Sequence, residues 1–157
     1  MRKTLVESLI VSKIDYGSVL YQNVPKYQIK RLQRVQTISA GYVLNRYANE
    51  ADTINLGWLP ITERFEFNTT KLVYNALHNP NWPEYLSLNF HKSNYNVKLR
   101  NNDDYKLPFC KDNNTFKSDA FKVFNNLSIN LRKEIDKNKF ISGAKVFFTN
   151  KALARLS

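Results

Sequence analysis

The chain has 157 residues, 43% of them hydrophobic and 24% charged, a balance that excludes a wholly disordered protein and suits one domain or two small helical units. Its 24 Lys and Arg against 13 Asp and Glu leave a net charge of +11. That imbalance points to a polyanion, either nucleic acid or an anionic membrane surface, with an ordinary solvated basic surface as the plainer alternative.

Elements follow in chain order from hydrophobic period and from breakers. Between Lys3 and Ile14, the residues Leu5, Leu9, Ile10 and Ile14 can share one face of a first helix. Asp15-Tyr16-Gly17-Ser18 interrupts it, and Pro25 forbids a straight continuation, so a break is expected between Asp15 and Pro25. From Lys26 to Leu44 the apolar residues Ile29, Leu32, Val35, Ile38 and Tyr42 recur every three or four positions, the buried stripe of an amphipathic helix. On another face of the same helix Lys26, Lys30 and Arg34 repeat every fourth residue with Arg31 beside them, which gathers the cations into a ridge. This ridge is the binding candidate by spacing, set against the commoner fate of a charged helix face, which is simply to be solvated.

Leu56-Gly57-Trp58-Leu59-Pro60-Ile61 forms a compact apolar turn, and a helix starting at Pro60 or Thr62 runs to about His78, where Asn79-Pro80 stops it. Its core side carries Ile61, Phe65, Leu72, Val73, Ala76 and Leu77, and Trp82 and Tyr85 pin the turn that follows. After Leu88 the composition shifts to Asn, Lys and Asp. There, Val97–Arg100 and Tyr105–Phe109 alternate as two short strands around Asn101-Asn102-Asp103-Asp104, predicting a hairpin over 97–109. Phe116, Ala120, Phe121, Phe124 and Leu127 then mark a helix begun by Thr115, and Phe140, Ala144, Phe147, Phe148 and Leu153 mark a last one. At these spacings the phenylalanines read as core rather than as platforms for stacked bases.

Residues that carry chemistry are sparse. The one cysteine, Cys110, excludes an internal disulfide, and with His78 and His91 far apart no zinc-ligand spacing can be written. Asp103-Asp104 is the one adjacent acidic pair, but it lacks the apolar flanks and third carboxylate of a two-metal polymerase centre and reads as a solvated turn. No G-x-S-x-G elbow is present, and four glycines supply neither a phosphate loop nor a dinucleotide fingerprint. His78 reads as a capping or interface residue. No cofactor, metal or small-molecule substrate is expected. Glu7 and Ser8 interrupt the apolar run near the start, and no stretch approaches the roughly 20 apolar residues of a membrane span, so the chain is read as intracellular, in the nucleus or cytoplasm, with no membrane partner.

Several segments in one order resemble a known family. They are Ser8-Leu9-Ile10-Val11-Ser12-Lys13-Ile14-Asp15-Tyr16-Gly17-Ser18-Val19-Leu20-Tyr21, Leu32-Gln33-Arg34-Val35-Gln36, and Leu56-Gly57-Trp58-Leu59-Pro60-Ile61 with Arg64. They continue with Leu72-Val73-Tyr74-Asn75-Ala76-Leu77-His78, Pro83-Glu84-Tyr85-Leu86, Leu99-Arg100, and the stretch from Ala120-Phe121 to Arg132. Together they resemble the thumb and post-thumb region, C-terminal to the polymerase domain, of non-LTR (LINE or jockey-like) retrotransposon reverse transcriptases.

The resemblance implies a mainly α fold: a thumb-like helical bundle over residues 1–80, then a region 81–157 with the small β-hairpin and two further helices. It implies an RNA, DNA or hybrid duplex held through backbone phosphates on the helix carrying Lys26, Lys30, Arg31 and Arg34. The rest of the reverse transcriptase is the partner in the intact element. It implies no catalysis by this chain alone, because the palm that carries the polymerase carboxylates would lie before Met1. The chain departs from the family at Thr37-Ile38-Ser39-Ala40-Gly41-Tyr42, where two arginines are often found, and at Phe124-Asn125-Asn126-Leu127-Ser128, which loses a proline turn. Those departures suit a drifted copy. A helical protein-interaction module and a non-functional relic of a transposable element stay open as alternatives.

Overall fold

The computed structural model describes residues 1–21, 24–83 and 116–156. It is mainly α-helical, and no strand occurs among the described residues. The chain divides into two compact units, residues 1–68 with 145–157, and residues 69–144. Helices α5 (Ile61–His78) and α8 (Lys137–Leu156) each contribute residues to both.

The first unit opens with α1 (Arg2–Val6), a π-helical turn (Glu7–Val11) and α2 (Ser12–Asp15). On an uninterrupted α-helix Val6 and Val11 would project about 140° apart. The wider π turn between them brings both to the core, at 2% and 7% exposure. Leu5 and Leu9, expected on the buried face, stand 48% and 61% exposed instead. The break then falls where Asp15 and Pro25 placed it: Gly17 takes φ +68°, a 3-10 turn spans Ser18–Tyr21, and α3 (Lys26–Leu44) starts after Pro25.

Asn45, at φ 55°, ends α3 in the left-handed conformation, and Gly41 O accepts from Arg46 N at 3.2 Å. A Cβ on Gly41 would lie 2.9 Å from Arg46 O, so only glycine lets the chain double back there. Helix α4 (Glu50–Asn55) follows, closed by a reciprocal cap in which Asn49 Oδ1 accepts from Asp52 N and Asp52 Oδ2 accepts from Asn49 N, both at 2.9 Å. Val6, Val11, Ala40 and Trp58 form the core of this unit, with Ile10, Val43, Ala48 and Leu56 packed on it. The Trp58 indole donates to Glu7 Oε1 at 2.8 Å, so the large ring is buried without an orphaned N–H.

The C-terminal part of α8 returns to this unit. Phe148 meets Phe67 edge-on at 6.2 Å, Lys151 pairs with Glu66, and Arg155 bridges Glu63 at 3.0 Å and Glu50. Ala152, fully buried, takes the inward position, and Leu153 is 48% exposed.

The expected apolar stripe of α3 is rotated. Val35, Ile38 and Tyr42 are 44%, 64% and 53% exposed, and the buried side is Gln36, Ser39 and Ala40. The cause is polar: Gln36 Nε2 donates to Leu59 O at 2.9 Å, and Gln33 Oε1 accepts from Ile61 N at 2.8 Å. The Leu59-Pro60-Ile61 turn must place its backbone groups somewhere, and these two glutamines receive them.

The second unit combines the later part of α5 with α6 (Phe116–Asn125), α7 (Ile129–Arg132) and the earlier part of α8. Phe121, Phe124 and Phe140 are buried as the spacing predicts, each contributing about 2–3 kcal/mol by removal from water. Tyr74 stacks on Phe140 at 4.0 Å and donates to Ile135 O at 2.5 Å. Asp136 Oδ1 accepts from the amides of Asn138 and Lys139, capping α8. His78 lies at the end of α5, its ring 4.3 Å from that of Tyr74 and Nδ1 3.1 Å from Tyr74 O. The predicted hairpin over 97–109, with Asp103-Asp104 and Cys110, lies outside the described residues. No helix among the described residues is long and apolar enough to cross a membrane.

Candidate nucleic-acid interface

The four cations singled out by spacing stand on one helix, and all are exposed: Lys26, Lys30, Arg31 and Arg34 on α3. On an ideal helix Lys26, Lys30 and Arg34 fall within about 80° of one another, and Arg31 lies about 60° further round. Their direction is set from an adjacent flank of α3. Gln33 and Gln36 hold the Leu59–Ile61 turn, and Ala40 is packed in the Val6–Val11–Trp58 core. The helix therefore has little freedom to rotate the ridge inward.

Three arginines of this unit are engaged in structure. Arg46 grips Asp52 with two bonds of 2.6 and 3.1 Å, Arg64 grips Asp15 with bonds of 2.9 and 3.0 Å, and Arg155 meets Glu63 and Glu50. Burial works against the Arg155 charge, but the two glutamates outweigh it, and its pKa is raised. The Arg46–Asp52 pairing likewise raises the arginine and lowers the aspartate. In contrast, none of the four ridge cations has a hydrogen-bond or ion-pair partner among the described residues. A reason is visible in the chain itself: no acidic residue lies between Asp15 and Glu50. That gap of one charge sign is written in the amino-acid sequence, and it marks the ridge more sharply than the spacing of four residues.

The ridge is not a purely polar face. Tyr27, Val35, Ile38 and Tyr42 share the exposed side of α3 with it, and Arg2 lies over the Tyr42 ring at 5.5 Å. The arrangement has no carboxylate poised for proton transfer, and no cluster of three or more metal-binding side chains occurs among the described residues. The arrangement is a line of four cations beside an apolar surface. The chain matches no family model, no curated protein and no solved structure.

Proposed function

We propose that this chain is a nucleic-acid-binding region of a non-LTR retrotransposon reverse transcriptase, holding an RNA–DNA hybrid or other duplex through backbone phosphates on α3, in the nucleus or cytoplasm. It supplies contacts and not catalysis. The observation that carries the reading is the set of four exposed cations on one helix, without a hydrogen-bond or ion-pair partner among the described residues, in a stretch without a single acid. Such a surface neutralises phosphates and releases condensed counterions without reading base identity.

Further support comes from how the separate words of the resemblance meet in space. Asp15 accepts from Arg64, Gln33 and Gln36 engage Ile61 and Leu59, and the second word thus locks onto the third. These segments contact one another within one helical unit, as the reading requires. The test is affinity for an RNA–DNA hybrid across a salt series. Four phosphate contacts give a slope of log affinity against log salt of about −3 to −4, and replacing Lys30, Arg31 and Arg34 together by Gln flattens it by roughly 2 to 3 on every sequence alike. A slope near zero, or an unchanged slope in the triple variant, would falsify the assignment.

A further inference from the structure

Beside the ridge, the first helical segment and the start of α3 leave an open cleft of about 660 Å³. Leu9, Ile10, Ile14, Tyr21, Leu32 and Val35 line it, and Lys13 is at its edge. Leu9, Tyr21 and Val35 are 61%, 45% and 44% exposed, so large apolar surface faces water in a concave place. The π turn helps create it: by turning Val6 and Val11 into the core, it leaves Leu9 on the cleft side. Apolar surface collected in a groove, and not scattered singly, marks a contact site.

Charge decides what fits. The acids nearest the cleft point elsewhere, Glu7 to the Trp58 indole at 2.8 Å and Asp15 to Arg64 at 2.9 Å. Lys13 lines it and is exposed, and Arg31, exposed and four residues from both Tyr27 and Val35, stands on the same side of α3, whereas Lys26, Lys30 and Arg34 are turned to other sides of the helix. A phosphate backbone would satisfy these cations but gain nothing from the apolar lining. A flat bilayer does not enter a cleft between two helices. A second copy of the chain, docked through the same patch, would set one cationic rim against another. An amphipathic helix answers both features, placing apolar side chains at i, i+3, i+4 and i+7 in the groove and acids along its flanks.

We infer that this cleft is a docking groove for an acidic amphipathic helix of a partner protein. The inference stands independently of nucleic-acid binding, although Arg31 belongs to both the ridge and the rim of the groove.

The probe is a labelled synthetic peptide of about 18 residues with leucines on one helical face and glutamates on the other. One control is the same composition scrambled so that the leucines no longer align, and another has lysine in place of every glutamate. Fluorescence anisotropy with the full chain is expected to show at least tenfold tighter binding of the acidic amphipathic peptide than of either control. The double variant Leu9→Ser and Val35→Ser, both exposed positions, loses tenfold or more while its circular dichroism spectrum is unchanged. Because these substitutions leave the charge alone, its affinity for an RNA–DNA hybrid stays within about twofold, which separates this groove from the phosphate-binding ridge. Equal binding of the scrambled peptide would reduce the effect to charge and overturn the proposal. So would a dimer in sedimentation that the double variant abolishes, which would make a second copy the occupant. Tight binding to phosphatidylserine vesicles that depends on Leu9 and Val35 would overturn it as well.

Discussion

Asp52 takes two hydrogen bonds from Arg46 and one from the Asn49 amide, so a single carboxylate ties the end of α3 to the cap of α4. The Arg46 hydrogen bonds, then the Asn49 amide, hold its pKa below the usual value. A carboxylate depressed in the folded chain contributes stability that is complete above the ordinary Asp range, near pH 4, and drains away as pH falls through the lowered pKa. The difference in urea stability between the native chain and Asp52→Asn is therefore expected to be largest at neutral pH and to shrink on acidification. A difference that stays constant to about pH 2 would show that the charge is not what matters. Gly41 makes a second residue-scale prediction. Its missing Cβ is what lets Arg46 O approach, so Gly41→Ala should cost about 1–3 kcal/mol in urea unfolding, despite the better helix propensity of alanine.

Helix α3 shows which properties of an element local sequence carries. Its bounds are readable, because Pro25 sets the start and Leu44 is the last residue in register before Asn45 turns left-handed. Which side faces inward is not readable from hydrophobic period, since the residues that decide it are Gln33 and Gln36, and their partners lie more than twenty positions away in the Leu59–Ile61 turn. Gln36→Leu preserves volume but leaves Leu59 O with only the longer 3.4 Å bond from Arg64 Nε, and an expected loss of about 1–3 kcal/mol in denaturant unfolding tests that account. The first helix makes the same point, with its π turn exchanging Leu5 and Leu9 for Val6 and Val11 as the buried set. Helix α4 escaped the apolar period altogether, yet Asn49 and Asp52, three residues apart, are a cap signature that could have announced it.

At the scale of the whole chain, the decisive long-range contact within the first unit is Arg155 on Glu63. Glu63 is 1% exposed, and its carboxylate is met at 3.0 Å by a guanidinium supplied 92 positions later. Removing the arginine leaves a buried carboxylate unpaired. Since the arginine is itself half exposed, Arg155→Ala is expected to cost about 1–3 kcal/mol, less than the loss of a fully buried pair, as read by urea unfolding. A change below about 0.5 kcal/mol, the usual range for surface positions, would mean that water already serves Glu63.

Composition, charge, apolar period and breakers by themselves determined the helical class, the bounds of α3 and α5, the phenylalanine core and the four-cation ridge. Each of these depends on residues three or four positions apart or on bulk counts. The tertiary structure alone decided that Val35, Ile38 and Tyr42 face outward, that the end of α8 joins the first unit, and that an apolar cleft opens between the first helical segment and α3. The reason is physical: a helix reports which residues share a face, but the buried face is chosen by the polar groups and cavities that other segments bring to it.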